Sequence, residues 1–331
     1  MNSNNNSKKV LVIGEALVNF DSDKYLFNET NNFNVKIAGS STIVAANIGR
    51  LTKDVRILTI LDQNNLFYSK IIDFFSLNHV QSYTVNYEGR VGALYTNNSQ
   101  DKNKSRFYDI SNTSFSASEG LSFELRKLID ESISHIYISM IDIYRNRNLK
   151  NTWLTLLRYA KNQGLSVSIN LNYSPDIFKN FSEFTRLCQE FLEYCDYVYG
   201  YIDLVFEKDN TEIEVDRYSF KRKAEVFLQT YKNVKALHCL QITQNSTNKF
   251  INAFSYFNSD VTESPKIKID NYDHYLEEAF IGAHLSAYNS ERPLVEALHF
   301  ALKATYFKSL YYANNNLSYF YEIENYIIKT K

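Results

Sequence analysis

Apolar residues along this chain follow two rhythms. Continuous short runs, KVLVI (Lys9–Ile13) and VRILTIL (Val55–Leu61), read as strands buried on both faces of a sheet. Between them, residues 42–51 (TIVAANIGRL) place apolar side chains at helical spacing. The alternation resumes downstream. It predicts a helix over 123–132, a strand over 135–140, a helix over 149–163 closed by Gly164, a strand over 166–170, a helix over 182–194 and a strand over 197–199. A helix over 220–232, a hairpin-like pair at 237–243 and 250–258, and a helical block from about residue 273 complete the chain. Strand, helix and strand in succession imply parallel crossovers, hence an α/β fold. The rhythm breaks at 90–110, where VGALYT and SRFYDI alternate on either side of a polar stretch and predict a small antiparallel unit beside the main sheet. No repeat, Pro-rich linker or charged tail divides the 331 residues, so one large α/β domain is the simplest organisation.

Composition narrows the function. With 36 Lys plus Arg against 37 Asp plus Glu, no summed positive field is available for a nucleic-acid backbone or an anionic membrane, and neither partner is expected. Three cysteines (Cys188, Cys195, Cys239) make neither a disulfide framework nor a zinc pattern, which points to a reducing, cytoplasmic setting. The polar start and early Glu15 argue against a signal peptide, and no uncharged apolar stretch approaches the roughly 18 residues of a membrane span. The nine glycines leave no room for G-x-G-x-x-G or a Walker-type loop. The six histidines form no H-x-x-x-H or Cys/His cluster, so none is taken as a metal ligand. Core and interface packing accounts for most of the 26 tyrosines and 23 phenylalanines.

Several short motifs, in order along nearly the whole chain, resemble the ribokinase-like (PfkB) carbohydrate kinases, particularly the fructokinase and 2-keto-3-deoxygluconate kinase branch. VLVIGEALVNF (10–20) is similar to that family's first strand running into G-E-x-L-x-D-F. IAGSSTIVAANIGRL (37–51) is similar to its G-G-A-x-x-N-V-A segment, FYD (107–109) to the lid's Y-Y-R, and SINLNYSPDIF (168–178) to S-F-D-x-N-x-R-x-x-L-W. IDNYDHYLEEAFIGAHLSA (269–287) lies where the family has D-T-T-G-A-G-D-A-F and a helix. The resemblance implies a three-layer α/β/α sandwich with a mainly parallel central sheet and a small β-strand lid formed by about 15–38 and 88–112. It also implies ATP- and Mg2+-dependent phosphoryl transfer to a small sugar hydroxyl, and a homodimer formed through the lid.

Carried over residue by residue, the resemblance puts Glu278 at the position of the catalytic Asp, and Asn19, Gly39, Tyr95, Tyr108, Asn172 and Ser174 on the sugar side. Thr243 and Asn245 fall at the nucleotide turn, and Asp203, in Gly200-Tyr-Ile-Asp203, at the N-x-x-E segment that organises metal and phosphate. The departures are chemical. The glycines of the anion hole are replaced by His274, Tyr275, Leu276 and Glu277, and the four acids Asp270, Asp273, Glu277 and Glu278 suit a helix start while repelling a polyphosphate. Asp109 and Ser174 stand where the family has arginines, so the carboxylate forks suited to a sugar acid are gone and a neutral ligand is expected. Two readings follow: a working sugar kinase, or a pseudokinase kept as a ligand-binding or protein-interaction module.

Overall fold

The computed structural model describes residues 8–22, 31–97, 106–171, 173, 177–178, 180–200, 216–245, 248–269, 275–310 and 320–326. The chain begins with β1 (Lys9–Ile13), β2 (Leu17–Asp21), β3 (Asn34–Ala38), α1 (Ser40–Thr52), β4 (Val55–Leu61), α2 (Tyr68–Leu77), β5 (Gln81–Asn86), β6 (Gly92–Thr96) and β7 (Arg106–Asp109). It continues through α3 (Ser114–Ala117), α4 (Leu125–Leu128), β8 (Ile133–Ser139), α5 (Met140–Arg145), α6 (Lys150–Asn162), β9 (Ser166–Asn170), α7 (Phe181–Leu192), β10 (Tyr197–Tyr199) and α8 (Arg217–Thr230). The rest comprises β11 (Ala236–Gln244), β12 (Lys249–Phe257), β13 (Asp260–Glu263), β14 (Ile267–Ile269), α9 (Leu276–Asn289), α10 (Leu294–Leu310) and α11 (Phe320–Asn325).

The large sheet runs β13-β12-β11-β10-β9-β8-β1-β4-β5, with β14 also on β12. Every pairing from β11 to β5 is parallel, and the strands beyond β11 are antiparallel. Its strands are apolar on both faces because helices cover both. Val10 and Val12 of β1 enter the core with α1, α2, α9 and α10, while Leu11 and Ile13 enter the core with α6, α7 and α8. Three layers result. A second sheet, β3-β2-β6-β7, pairs β2 with β6 in parallel and carries the antiparallel β6–β7 unit expected from the alternating segments.

The expected helix over 123–132 is a correction, because only one turn forms, α4. Buried Arg56 explains the stop: its guanidinium donates to the Leu128 carbonyl (2.8 Å) and to the Asp130 carboxylate (2.9 Å), taking a carbonyl the next helical turn would need.

Candidate active site at the carboxyl ends of the parallel strands

In a parallel sheet the strand ends are where ligands meet loops and helix starts. Here that edge is polar on one face only. Tyr137 of β8 lies in the core shared with α9, so Ser139 two residues on faces the same side. Ser139 pairs with Asn170, the last residue of β9. Ile13 pairs with both Ile138 and Leu58, which sets Gly14 between Ser139 and Thr59 of β4. Thr59, Ser139 and Asn170 therefore form a row on the α9 side, with Tyr137 one step behind. All four are buried. Among the described residues, the hydroxyls of Thr59 and Ser139 have no hydrogen-bond partner. Asn170 lies close enough to Tyr137 to lower its pKa, yet neither group reaches well-aligned hydrogen-bond geometry.

The first turn of α9 sits over this row. Its N-cap residue, Tyr275, makes no side-chain capping hydrogen bond to the leading amides. Glu277 and Glu278 fall in that turn. Burial, and then the neighbouring Glu278 charge, push the Glu277 carboxyl well above the usual carboxylate range, against the pull of Asn170. Burial, and next the Glu278 charge, also hold the Tyr137 phenol high. Glu278 is only 7% exposed, and its backbone carbonyl accepts from Asn47 Nδ2 of α1 at 3.2 Å. Tyr275, which precedes α9, packs with Leu17, Ala38 and Ile43, between the small sheet and α1. Leu276 joins the core beneath.

Beside this lies a second buried cluster where both sheets meet. Glu15, in the short link from β1 to β2, is ion-paired with Arg145 and accepts from the Thr113 hydroxyl at 2.6 Å. Asp142 accepts from the Ser41 hydroxyl (2.5 Å) and from the Glu15 amide (3.2 Å). Arg145 also donates to the Ile110 carbonyl at 2.8 Å. Burial outweighs Arg145 and raises Glu15 to about 7; burial likewise outweighs the Ser41 hydrogen bond and raises Asp142 to about 6.

Of the residues singled out from sequence, Gly39 begins α1 at φ 107°, where any side chain would run into the Glu15 carbonyl oxygen. Asn19 and Tyr108 lie on one face of the small sheet, since Asn19 pairs with Leu94 and Leu94 with Tyr108. Tyr95 points to the other face, stacked on Phe20 at 5.2 Å, so the two tyrosines do not line one surface. Asn19 accepts from Thr96 at 3.1 Å. Asp109 is gripped by Arg90 through two hydrogen bonds of 2.5 and 2.8 Å, leaving that guanidinium occupied. Thr243, near the end of β11, has a buried hydroxyl without a partner; Asn245 closes the following turn through Asn248. Asn172, Ser174 and Asp203 lie outside the described residues, as do Asp270, Asp273 and His274. Sequence reasoning missed Glu15, Thr59, Tyr137, Ser139, Asp142, Arg145 and Asn170. The available signal was position: Ser139 and Asn170 are last residues of buried parallel strands.

The architecture has close counterparts among solved structures. A PfkB family carbohydrate kinase from Listeria grayi superposes with a TM-score of 0.84 over 96% of this chain and 98% of its own, at 21% identity. The 2-dehydro-3-deoxygluconokinase of Thermotoga maritima gives 0.85 over 96% and 98%, at 19% identity. This chain has the ribokinase-like fold. An E. coli protein assigned as ribokinase II, solved with ATP and Mg2+, gives 0.74 over 96% and 98%, at 17% identity. No protein-family model matches the chain, and no curated protein matches it in sequence. Among the described residues, no helix is long and apolar enough to cross a membrane, and no group of three or more His, Cys, Asp or Glu is placed to hold a metal ion.

Proposed function

We propose that this chain is a sugar kinase homologue that transfers the terminal phosphoryl group of ATP to a hydroxyl of a neutral sugar. The observation that carries the reading is Glu278, a buried carboxylate in the first turn of α9 at the carboxyl ends of the parallel strands. There it is placed to accept the proton of a sugar hydroxyl. The leading amides of α9 suit developing phosphoryl charge, and the unpartnered Thr243 hydroxyl suits the nucleotide. When bound, ATP with Mg2+ supplies the phosphoryl donor. Similarity to carbohydrate kinases over 96% of the chain, one of them solved with ATP and Mg2+, supports the same assignment. Neutral substrates fit because Arg90 is occupied by Asp109 and Arg145 by Glu15.

The test is sugar-dependent ADP release with Mg2+-ATP across a panel of neutral sugars. Glu278→Gln is expected to lower kcat about 10²-fold or more with KM little changed, as loss of a general base does. Absence of sugar-dependent ADP release from the unaltered protein would sink the reading. A second reading, ligand binding without transfer, is favoured by one observation: Tyr275 replaces a glycine of the resembled anion hole and its ring fills space between α1 and the small sheet.

A further inference from the structure

The small sheet joins the body through four links: 14–16 before β2, 39 between β3 and α1, 87–91 before β6 and 110–113 after β7. They converge around Glu15. Its backbone is held by the body, the amide donating to Asp142 (3.2 Å) and the carbonyl accepting from the Thr42 hydroxyl (3.0 Å). A Cβ on Gly39 would lie 2.2 Å from that same carbonyl oxygen. Its carboxylate reaches the other way. One oxygen accepts from Thr113, which ends the return from β7 and forms a backbone bridge with Arg90 of the link before β6. The other pairs with Arg145 of α5, whose guanidinium also donates to the Ile110 carbonyl on that return (2.8 Å). Away from Glu15 the sheet loses cover. Along β2, Leu17 to Asn19 are buried and Phe20 and Asp21 half-buried; along β3, Ala38 and Ile37 are buried, Lys36 and Val35 half-buried and Asn34 exposed. A sheet anchored at one end and thinly covered at the other opens about its anchor at lower cost than the whole chain unfolds.

We propose that Glu15 is a positioning residue: its bonds to Arg145 and Thr113 set the angle of the small sheet against the start of α9, and with it where Asn19 stands relative to Glu278. The link to phosphoryl transfer deepens the sugar kinase reading and rests on it; the anchoring itself does not. The small sheet meets the start of α9 where Leu17 and Ala38 pack with Tyr275, and α1 meets it where Asn47 donates to the Glu278 carbonyl. Glu15 holds both neighbours of α9, the sheet through its carboxylate and α1 through Thr42. A turn of the sheet at Glu15 therefore moves the sugar side against the base. A buried charged bridge suits this role, because its hydrogen bonds weaken steeply with misalignment and no water replaces a lost partner.

The experiment is hydrogen exchange on the full chain without ligand, comparing amides of β2, β3, β6 and β7 with those of β1 and β8. Glu15→Ala combined with Arg145→Met removes the bridge without leaving a lone buried charge. It is expected to speed exchange in the small sheet about tenfold or more, the shift that loss of one charge-assisted hydrogen bond gives, while β1 and β8 change by less. Thr113→Val is expected to act in the same direction and more weakly, and Thr113→Ser, which keeps the hydroxyl, to exchange like the unaltered protein. Equal acceleration of both sheets would make Glu15 a structural residue only and overturn the proposal, as would small-sheet exchange that no variant changes. Should the double variant fail to melt cooperatively, the two Thr113 variants decide the matter alone. In sugar-dependent ADP release, the variants that free the sheet are expected to raise the sugar KM about tenfold with a smaller change in kcat, the mark of lost positioning rather than lost proton transfer. A KM unchanged in a protein whose sheet is freed overturns the positioning role. No ADP release from the unaltered protein sinks phosphoryl transfer alone, and the exchange pattern still decides the anchor.

Discussion

Glu15 shows how one residue ties the two sheets together. Its carboxylate meets Arg145 and Thr113, its amide meets Asp142, and its carbonyl accepts from Thr42 at 3.0 Å. Three segments far apart in sequence thus close on one buried residue. A buried ion pair contributes little net stability over an apolar pair, but removing one partner leaves a charge that neither water nor protein satisfies. Arg145→Met is therefore expected to destabilise the protein by about 3–5 kcal/mol, and Glu15→Gln combined with Arg145→Met to recover part of that loss. Urea unfolding of the two variants checks this; equal stability of Arg145→Met and the unaltered protein would refute it. The cluster was illegible in the sequence because nothing local links residue 15 to residues 142 and 145. GEAL reads as the end of a strand, and only the register of β1 on β8 brings the partners together.

Elements were far more legible than their contacts. Continuous apolar runs marked β1 and β4 at their observed bounds, because strands covered on both faces need apolar side chains at every position. Helical spacing found α1, α6, α7 and α8 within a few residues. The helix over 123–132 failed because the residue that ends it, Arg56, lies on a distant strand. The acids Glu277 and Glu278 mark the start of α9, as a helix dipole favours. Its packing against α1 was not visible, although Gly282 carries it. A Cβ there would lie 2.7 Å from the Asn47 Cβ and 3.2 Å from the Val44 carbonyl oxygen. Gly282→Ala gains about 1 kcal/mol of helix propensity but forces α1 and α9 apart, an overpacking cost of about 1–3 kcal/mol. The separation also stretches the Asn47 hydrogen bond to Glu278. The expected outcome is a lower Tm and weaker ligand binding, measured by thermal unfolding with and without sugar; a higher Tm would show that the helices yield without cost.

At the scale of the whole molecule, buried titratable groups give folding stability a defined dependence on pH. His135, His238 and His284 all lie between the large sheet and α9, bonded to Ser168, Ser255 and Tyr199 at 2.6, 2.9 and 2.8 Å. Burial is the main cause in each: it lowers His135 to about 4 and His284 to about 3, and holds His238 well below its ordinary value. These rings stay neutral in the folded chain while the unfolded chain takes up protons below about 6.5, so their contribution is full above that pH and is lost as pH falls toward 4. Glu15, Asp142 and Glu277 act with the opposite sign. Glu15 and Asp142, at about 7 and 6 in the folded chain, and Glu277, held above the ordinary range by burial, confer stability that is full at low pH and is lost as pH rises through 6 and beyond. The two sets oppose one another between about pH 4.5 and 6, and above 6.5 the histidines no longer offset the carboxylates. Thermal unfolding is therefore expected to give a broad maximum near pH 6 and a falling Tm from 6.5 to 8. Glu15→Gln should flatten the alkaline fall, and His238→Asn should reduce the loss of Tm between pH 6 and 4.5. The comparison is of slopes within each variant, which separates titration from the packing each substitution disturbs. A Tm that keeps rising from pH 6.5 to 8 in the unaltered protein would mean that Glu15 and Glu277 are both ionised throughout, Glu15 held so by Arg145.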